Sequence, residues 1–126
     1  SYLYQDSDKN YSIVHDLGGY DEISLTNSVK IVSNKSEVLF SAEDLGLKNN
    51  TQEAIFGGNT VSEASKIFKT IIGGQGTEAQ NNVVCANAGL AIATAKQLTH
   101  IEGYELAKEA LISGKANKCL TKLIAL

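Results

Sequence analysis

The sequence predicts an α/β fold in which part of a mixed β-sheet with a β-hairpin packs against C-terminal α-helices. Three observations predict it. Short β-favouring runs separated by turn residues fill the first third of the chain. Thr60–Glu63, Thr77–Gln80 and Thr99–Glu102 then match the pattern in which Ser or Thr is followed three residues later by Glu or Gln. Such pairs satisfy backbone N–H groups that the first helical turn leaves without partners. Glycines follow the helical stretches, at Gly73-Gly74 and at Gly114, where a left-handed residue is expected to close a helix.

In chain order, Tyr11-Ser12-Ile13-Val14-His15 is a β-favouring run of the kind that fills an interior strand. Asp16-Leu17-Gly18-Gly19-Tyr20-Asp21-Glu22 breaks it. Val29-Lys30-Ile31-Val32-Ser33 alternates an outward lysine with inward aliphatics, and Glu37-Val38-Leu39-Phe40 follows a short polar turn, so the two make the hairpin. Short helical turns are expected at 42–45 and 51–56, the second stopped by Gly57-Gly58. Helices are expected over 61–72, 78–97, 100–113 and 115–124. The second of these is apolar or small nearly all round from Val83 to Ala95, with Asn87 and Thr94 as exceptions. That composition predicts burial on several sides and a role in stability alone.

The 126 residues suit one domain spanning 1–126, and 43% hydrophobic with 20% charged residues is ordinary globular composition. No apolar run approaches the roughly 18 residues of a membrane span, and no targeting segment opens the chain. The net charge is -3 and all 11 cations are lysines, which argues against nucleic acid as a partner, since phosphate and guanine are read best by arginine. There is no methionine, so the chain does not begin at a start codon. Cys85 and Cys119 form no paired motif and read as buried free thiols of an intracellular protein.

Few residues offer chemistry. Asp21-Glu22 places two hard oxygen ligands in an irregular segment expected to lie exposed beyond the sheet. Mg²⁺ is commonly held by one or two carboxylates plus waters and substrate phosphates, although on spacing alone such a pair is most simply a solvated acidic turn. His15 ends a strand but lacks a visible nucleophile, and His100 is most simply a surface residue of a first helical turn. Lys115, Lys118 and Lys122 share a helix face that reads as solvated. Gly73-Gly74-Gln75-Gly76-Thr77 lacks the lysine and the preceding strand of a phosphate loop and reads as helix punctuation.

Together these pieces resemble the C-terminal part of the anthranilate phosphoribosyltransferase family. The resemblance begins at Ile13-Val14-His15 and Gly19-Tyr20-Asp21-Glu22-Ile23-Ser24-Leu25-Thr26. It continues in order through Ala42-Glu43-Asp44-Leu45-Gly46-Leu47, Gly57-Gly58-Asn59, Asn82-Val83-Val84-Cys85-Ala86-Asn87-Ala88 and the stretch from Gly103 to Ala116. It implies transfer of a phosphoribosyl group from 5-phosphoribosyl diphosphate to anthranilate in tryptophan biosynthesis. It also implies Mg²⁺ on Asp21 and Glu22, a homodimeric enzyme and a cytoplasmic location. The chain departs from the family pattern at Asp16, where Gly or Ser usually follows the histidine, and at Gly18, which replaces a common acid. The family's Gly-Thr-Gly-Gly-Asp and Lys-His-Gly-Asn-Arg segments are absent. The chain is therefore expected to be roughly the last third of such an enzyme, with a metal-binding pair, no catalytic or substrate-binding residues assigned, and no activity alone. The readings left beside it are a pyrimidine nucleoside phosphorylase-like fragment and a non-catalytic binding or assembly domain on the same scaffold.

Overall fold

β-favouring runs bounded by turn residues yield three short strands, Ser12–Asp16 (β1), Val29–Ser33 (β2) and Glu37–Phe40 (β3). The structure, a computed structural model, describes residues 3–4 and 6–126, so Ser1, Tyr2 and Gln5 of the expected 1–126 unit lie outside the described residues. The strands form one sheet in the order β1-β2-β3, and every pairing among the described residues is antiparallel. The α/β class, the hairpin and the C-terminal helices are those the sequence predicts. β1, however, stands at an edge of this sheet rather than inside it, and Ile13 is 39% exposed. On β2 the alternation is as read: Val29 and Ile31 are buried while Lys30 faces water and pairs with Glu37 at 2.6 Å. Both partners are exposed, so this pair contributes little to stability.

Beyond the hairpin come short 3₁₀ turns at Ala42–Leu45 and Glu53–Ile55 and then four α-helices. These are Val61–Thr70 (α1), Glu78–Lys96 (α2), His100–Ile112 (α3) and Lys115–Ile124 (α4). The reciprocal cap is complete at α2, between Thr77 and Gln80, and at α3, between Thr99 and Glu102. At α1 it is shifted. Thr60 accepts from the Glu63 N–H, but the Glu63 carboxylate reaches the N–H of Asn59, one residue earlier than the pattern implies. α1 ends sooner than expected and passes into a wide turn at Ile71–Gln75, which Gly74 leaves with φ at 83°.

The core lies between the sheet and the α2–α3 pair. Val29, Ile31 and Phe40 from the strands meet Cys85 and Ala86 of α2 and Tyr104, Ala107 and Leu111 of α3, with Ile23 and Leu25 of the β1–β2 loop between them. The two helices touch at glycines. A Cβ on Gly89 would sit 2.6 Å from the backbone N and Cα of Tyr104, and one on Gly103 would collide with the Gly89 carbonyl. Only hydrogen fits at this crossing. The face shared by Ala86, Gly89 and Ala93 is thus the closely packed one that the sequence predicts.

Two expectations about burial need correction here. α2 is buried along that face only, and Val84, Ala88, Ala91 and Ala95 on another side are exposed. Its Asn87 holds the backbone of the β1–β2 loop. Of the two thiols, Cys85 is buried but Cys119 is exposed, because α4 adds no buried residue to the core. Burial pushes the Cys85 thiol pKa upward, partly countered by Lys108. Lys115, Lys118 and Lys122 are exposed as expected.

His100 is not simply a surface residue. Its ring stacks 4.5 Å from Phe40, and its Nε2 lies 2.8 Å from the carbonyl oxygen of Ala86. A carbonyl only accepts, so Nε2 carries the proton. Nδ1 is buried without a hydrogen-bond partner among the described residues. Desolvation lowers the His100 pKa, against smaller raising effects from the Ala86 carbonyl and the Asp44 carboxylate.

Two outcomes follow from this packing. Gly89→Ala is expected to force α2 off α3 and to cost about 1–3 kcal/mol, measured as a lower melting temperature. For His100, the unfolded chain takes up a proton below about pH 6.5 that the folded chain resists, so the stabilisation is full above that pH and is lost as pH falls below it. The melting temperature is expected to drop between about pH 7.5 and about pH 5, and the non-titrating His100→Gln variant is expected to show a smaller drop. An equal drop in both proteins would show that His100 does not govern this window.

Candidate functional site

The loop joining β1 to β2, residues 17–28, carries Asp21 and Glu22. It is organised around Asp16, the last residue of β1, which is completely buried. Oδ1 of Asp16 accepts the Gly18 N–H at 2.7 Å. Oδ2 accepts both the N–H and the hydroxyl of Ser24, at 3.2 and 2.5 Å. Three donors to one carboxylate offset the cost of taking its charge out of water. Because the Ser24 hydroxyl spends its proton on Asp16, it must accept from the Thr26 hydroxyl at 2.8 Å, and it also accepts the Thr26 N–H.

The backbone repeats the same closure. Gly19 N–H donates to the Asp16 carbonyl and Asp16 N–H donates to the Tyr20 carbonyl, so the chain turns back immediately after the strand. A Cβ on Gly18 would lie 2.9 Å from Asp16 Oδ1 and would collide with the Asn27 side-chain amide. Only glycine at 18 therefore leaves room for both the Asp16 carboxylate and the Asn27 amide in this arrangement. Further on, Leu25 takes a left-handed φ of 58° while fully inserted in the core, and its carbonyl accepts the Asn50 N–H at 2.7 Å.

The far side of the pair is held by α2. The Ile23 N–H donates to Asn87 Oδ1 at 2.9 Å, and Asn87 Nδ2 donates to the Ile23 carbonyl at 2.8 Å and to Val83 O at 2.9 Å. Ile23, the residue after Glu22, is itself completely buried.

Between these anchors Asp21 and Glu22 are exposed, and neither carboxylate enters a hydrogen bond or ion pair with another of the described residues. The two predicted residues thus sit side by side on a braced loop with their oxygens open to solvent. No cluster of three or more metal-ligating side chains exists among the described residues. Two unengaged hard-oxygen donors fit Mg²⁺, which keeps waters and takes ligands from substrate phosphates, better than ions needing a full protein cage. His15 is exposed on β1, opposite Lys30. The Gly73–Thr77 stretch is helix punctuation, ending in the cap of α2.

Sequence reasoning singled out the acid pair as a candidate but not the residues that hold its loop. Asp16 entered only as a departure from a pattern, Ser24 only as part of a motif, and Asn87 only as a polar exception in an apolar helix. The usable signal was that exception: a single amide in such a run is stable only with partners.

Comparison with known proteins agrees with this architecture. The chain matches the family described as "Glycosyl transferase family, a/b domain" over residues 4–117. It is 55% identical over 123 residues to the anthranilate phosphoribosyltransferase of Flavobacterium psychrophilum, covering 98% of this chain and 37% of that protein. It is 41% identical over 127 residues to that of Bacteroides fragilis, covering 100% of this chain and 38% of that protein. The chain thus spans a little over a third of the length of the curated relatives it matches. Among solved structures it superposes on anthranilate phosphoribosyltransferase from Thermus thermophilus with a TM-score of 0.80 and 28% identity, over 90% of this chain and 34% of that one. The Saccharomyces cerevisiae enzyme in complex with PRPP and Mg shares the fold at a TM-score of 0.73 and 18% identity, over 87% of this chain and 32% of that one. With a match that runs through all three strands and the first three helices, the chain belongs to the family described as glycosyl transferase family, a/b domain.

Proposed function

We propose that the chain is the C-terminal portion of an anthranilate phosphoribosyltransferase. That enzyme moves the phosphoribosyl group of 5-phosphoribosyl diphosphate onto the nitrogen of anthranilate, releases pyrophosphate and serves tryptophan biosynthesis. The observation that carries the proposal is 55% identity sustained over 98% of the chain, with the acid pair inside it. The Saccharomyces cerevisiae enzyme, described in complex with PRPP and Mg and with 4-fluoroanthranilate, supports the same substrate classes. A homodimeric enzyme in the cytoplasm belongs to the same reading.

Within it, Asp21 and Glu22 hold Mg²⁺, their free carboxylates supplying two hard oxygens and the diphosphate supplying more. When bound, the ion offsets the negative charge that grows on the leaving diphosphate. What this chain contributes is placement: two carboxylates on a backbone fixed before the ligand arrives, so that little ordering remains to be done on binding. Nothing else in the loop is both charged and free.

Replacing both acids in the full-length enzyme, as Asp21→Asn with Glu22→Gln, is expected to reduce turnover about 10²–10³-fold with the melting temperature almost unchanged, because both side chains are exposed. Wild-type turnover with unchanged magnesium dependence would refute the assignment. The 126 residues expressed alone are expected to give no detectable transfer, since a single metal pair cannot replace the orientation of two substrates. Steady-state assay of the purified chain checks this.

A further inference from the structure

Two polar side chains, the buried Asp16 and the half-buried Asn87, neither part of the acid pair, grip the main chain on either side of it. On the near side, the Asp16 carboxylate ties the Gly18 N–H to the N–H and hydroxyl of Ser24, which draws the two ends of the intervening segment together. On the far side, the Asn87 amide takes both backbone groups of Ile23, the residue that follows Glu22. The orientation of that amide is fixed. Nδ2 also donates to Val83 O, and a flipped amide would set N–H against N–H at Ile23 and oxygen against oxygen at two carbonyls.

Between residues 18 and 23 the chain therefore has little freedom, while the side chains at 21 and 22 have much. An apolar residue at 87 would match the rest of the helix face and would leave Ile23 N–H and C=O buried without partners. The amide is placed where it governs the loop, and it holds backbone only.

We infer that Asn87 and Asp16 are positioning residues for the Asp21–Glu22 pair, setting the backbone from which both carboxylates project toward a divalent cation. This rests on the reading of the pair as a Mg²⁺ site. A free loop would have to be ordered by the ion itself, and the affinity would fall by the cost of that ordering. Residues that orient metal ligands without touching the metal typically change affinity by about 10–100-fold when removed.

The test uses the full-length protein and two readouts other than turnover: amide hydrogen exchange at Ile23 and Ser24 without metal, and Mn²⁺ affinity measured by electron paramagnetic resonance. Asn87→Ala and Asp16→Asn are each expected to speed exchange at these amides and to weaken Mn²⁺ binding about tenfold. Ala107→Gly, which weakens α3 without removing a hydrogen bond to the loop, should lower the melting temperature while leaving both readouts as in wild type. Ser24→Ala removes the hydroxyl donor to Asp16, together with the acceptor of the Thr26 N–H and hydroxyl, and carries the same expectation, at smaller amplitude, where a stronger variant does not fold. Lost affinity in Asp21→Asn/Glu22→Gln with wild-type affinity in the Asn87, Asp16 and Ser24 variants would overturn the positioning role alone. Wild-type affinity in the double acid variant would overturn the metal reading, and the positioning role with it.

Discussion

The rest of the structure depends on the contact between α2 and α3 at Gly89 and Gly103. There the helices approach so closely that a single Cβ on either glycine would meet the other helix's backbone. Such a contact fixes both the distance and the rotation of α2, because only one line of its surface lacks the side chains that would hold α3 away. Asn87 lies two residues before Gly89, about 200° around the helix, and is therefore turned away from α3. Thr94, seven residues beyond Asn87, falls on the same face. Its hydroxyl donates to Leu90 O, so the Ser12 hydroxyl is the donor in the 2.7 Å bond that joins β1 to the helix. One face of α2 is thus set by α3, and the opposite face presents an amide and a hydroxyl to the loop and to β1.

How much of this was legible in the sequence depended on the range of the interaction. Caps at Thr77 and Thr99 are local, spanning three residues, and the residue types alone specify them. At Thr60 the same pattern gave the right helix start but not the right partner, because the Glu63 carboxylate bonds one residue further back. The hairpin was legible for the same reason, since Lys30 between Val29 and Ile31 assigns both faces of β2. Asn87 and Ile23 are 64 residues apart, and no spacing rule connects them. His100 and Ala86 meet only because the chain reverses between α2 and α3, so a histidine at the start of a helix reads as exposed until the partner helix is placed. Asp16 was legible as an acid but not as a buried one. Its burial becomes possible only when Ser24, eight residues on, returns two donors to it.

Composition misled in one respect. An apolar helix was read as buried on several sides, yet Val84, Ala88, Ala91 and Ala95 are exposed among the described residues. Three of those four are alanines, and a methyl group adds so little apolar surface that composition alone does not distinguish an exposed alanine from a buried one. The valine and alanines that read as core positions are equally positions where a surface is kept small. Gly89, by contrast, was readable as a packing position, because a glycine within a helix costs about 1 kcal/mol relative to alanine unless something needs the space.

The acid pair shows what the proposed cation site asks of the chain beyond a strand. In an extended strand, adjacent residues point to opposite faces, so an Asp-Glu dipeptide within β1 or β2 would offer its two carboxylates to different sides of the sheet. For both to serve one cation the chain must leave the strand conformation before Asp21. The Asp16 carboxylate ends β1 by taking the Gly18 N–H away from any ladder, and the turn that it closes delivers the chain to residues 21 and 22 outside the sheet. Ile23 then returns to the core and is locked there by Asn87. The exposed pair is therefore bracketed by two fully buried residues, Asp16 and Ile23. That bracketing resolves a conflict inherent in such a site: its carboxylates must remain hydrated to stay charged, yet their backbone must be rigid for the two charges to act together. Burial of the flanking residues supplies the rigidity without desolvating the acids themselves.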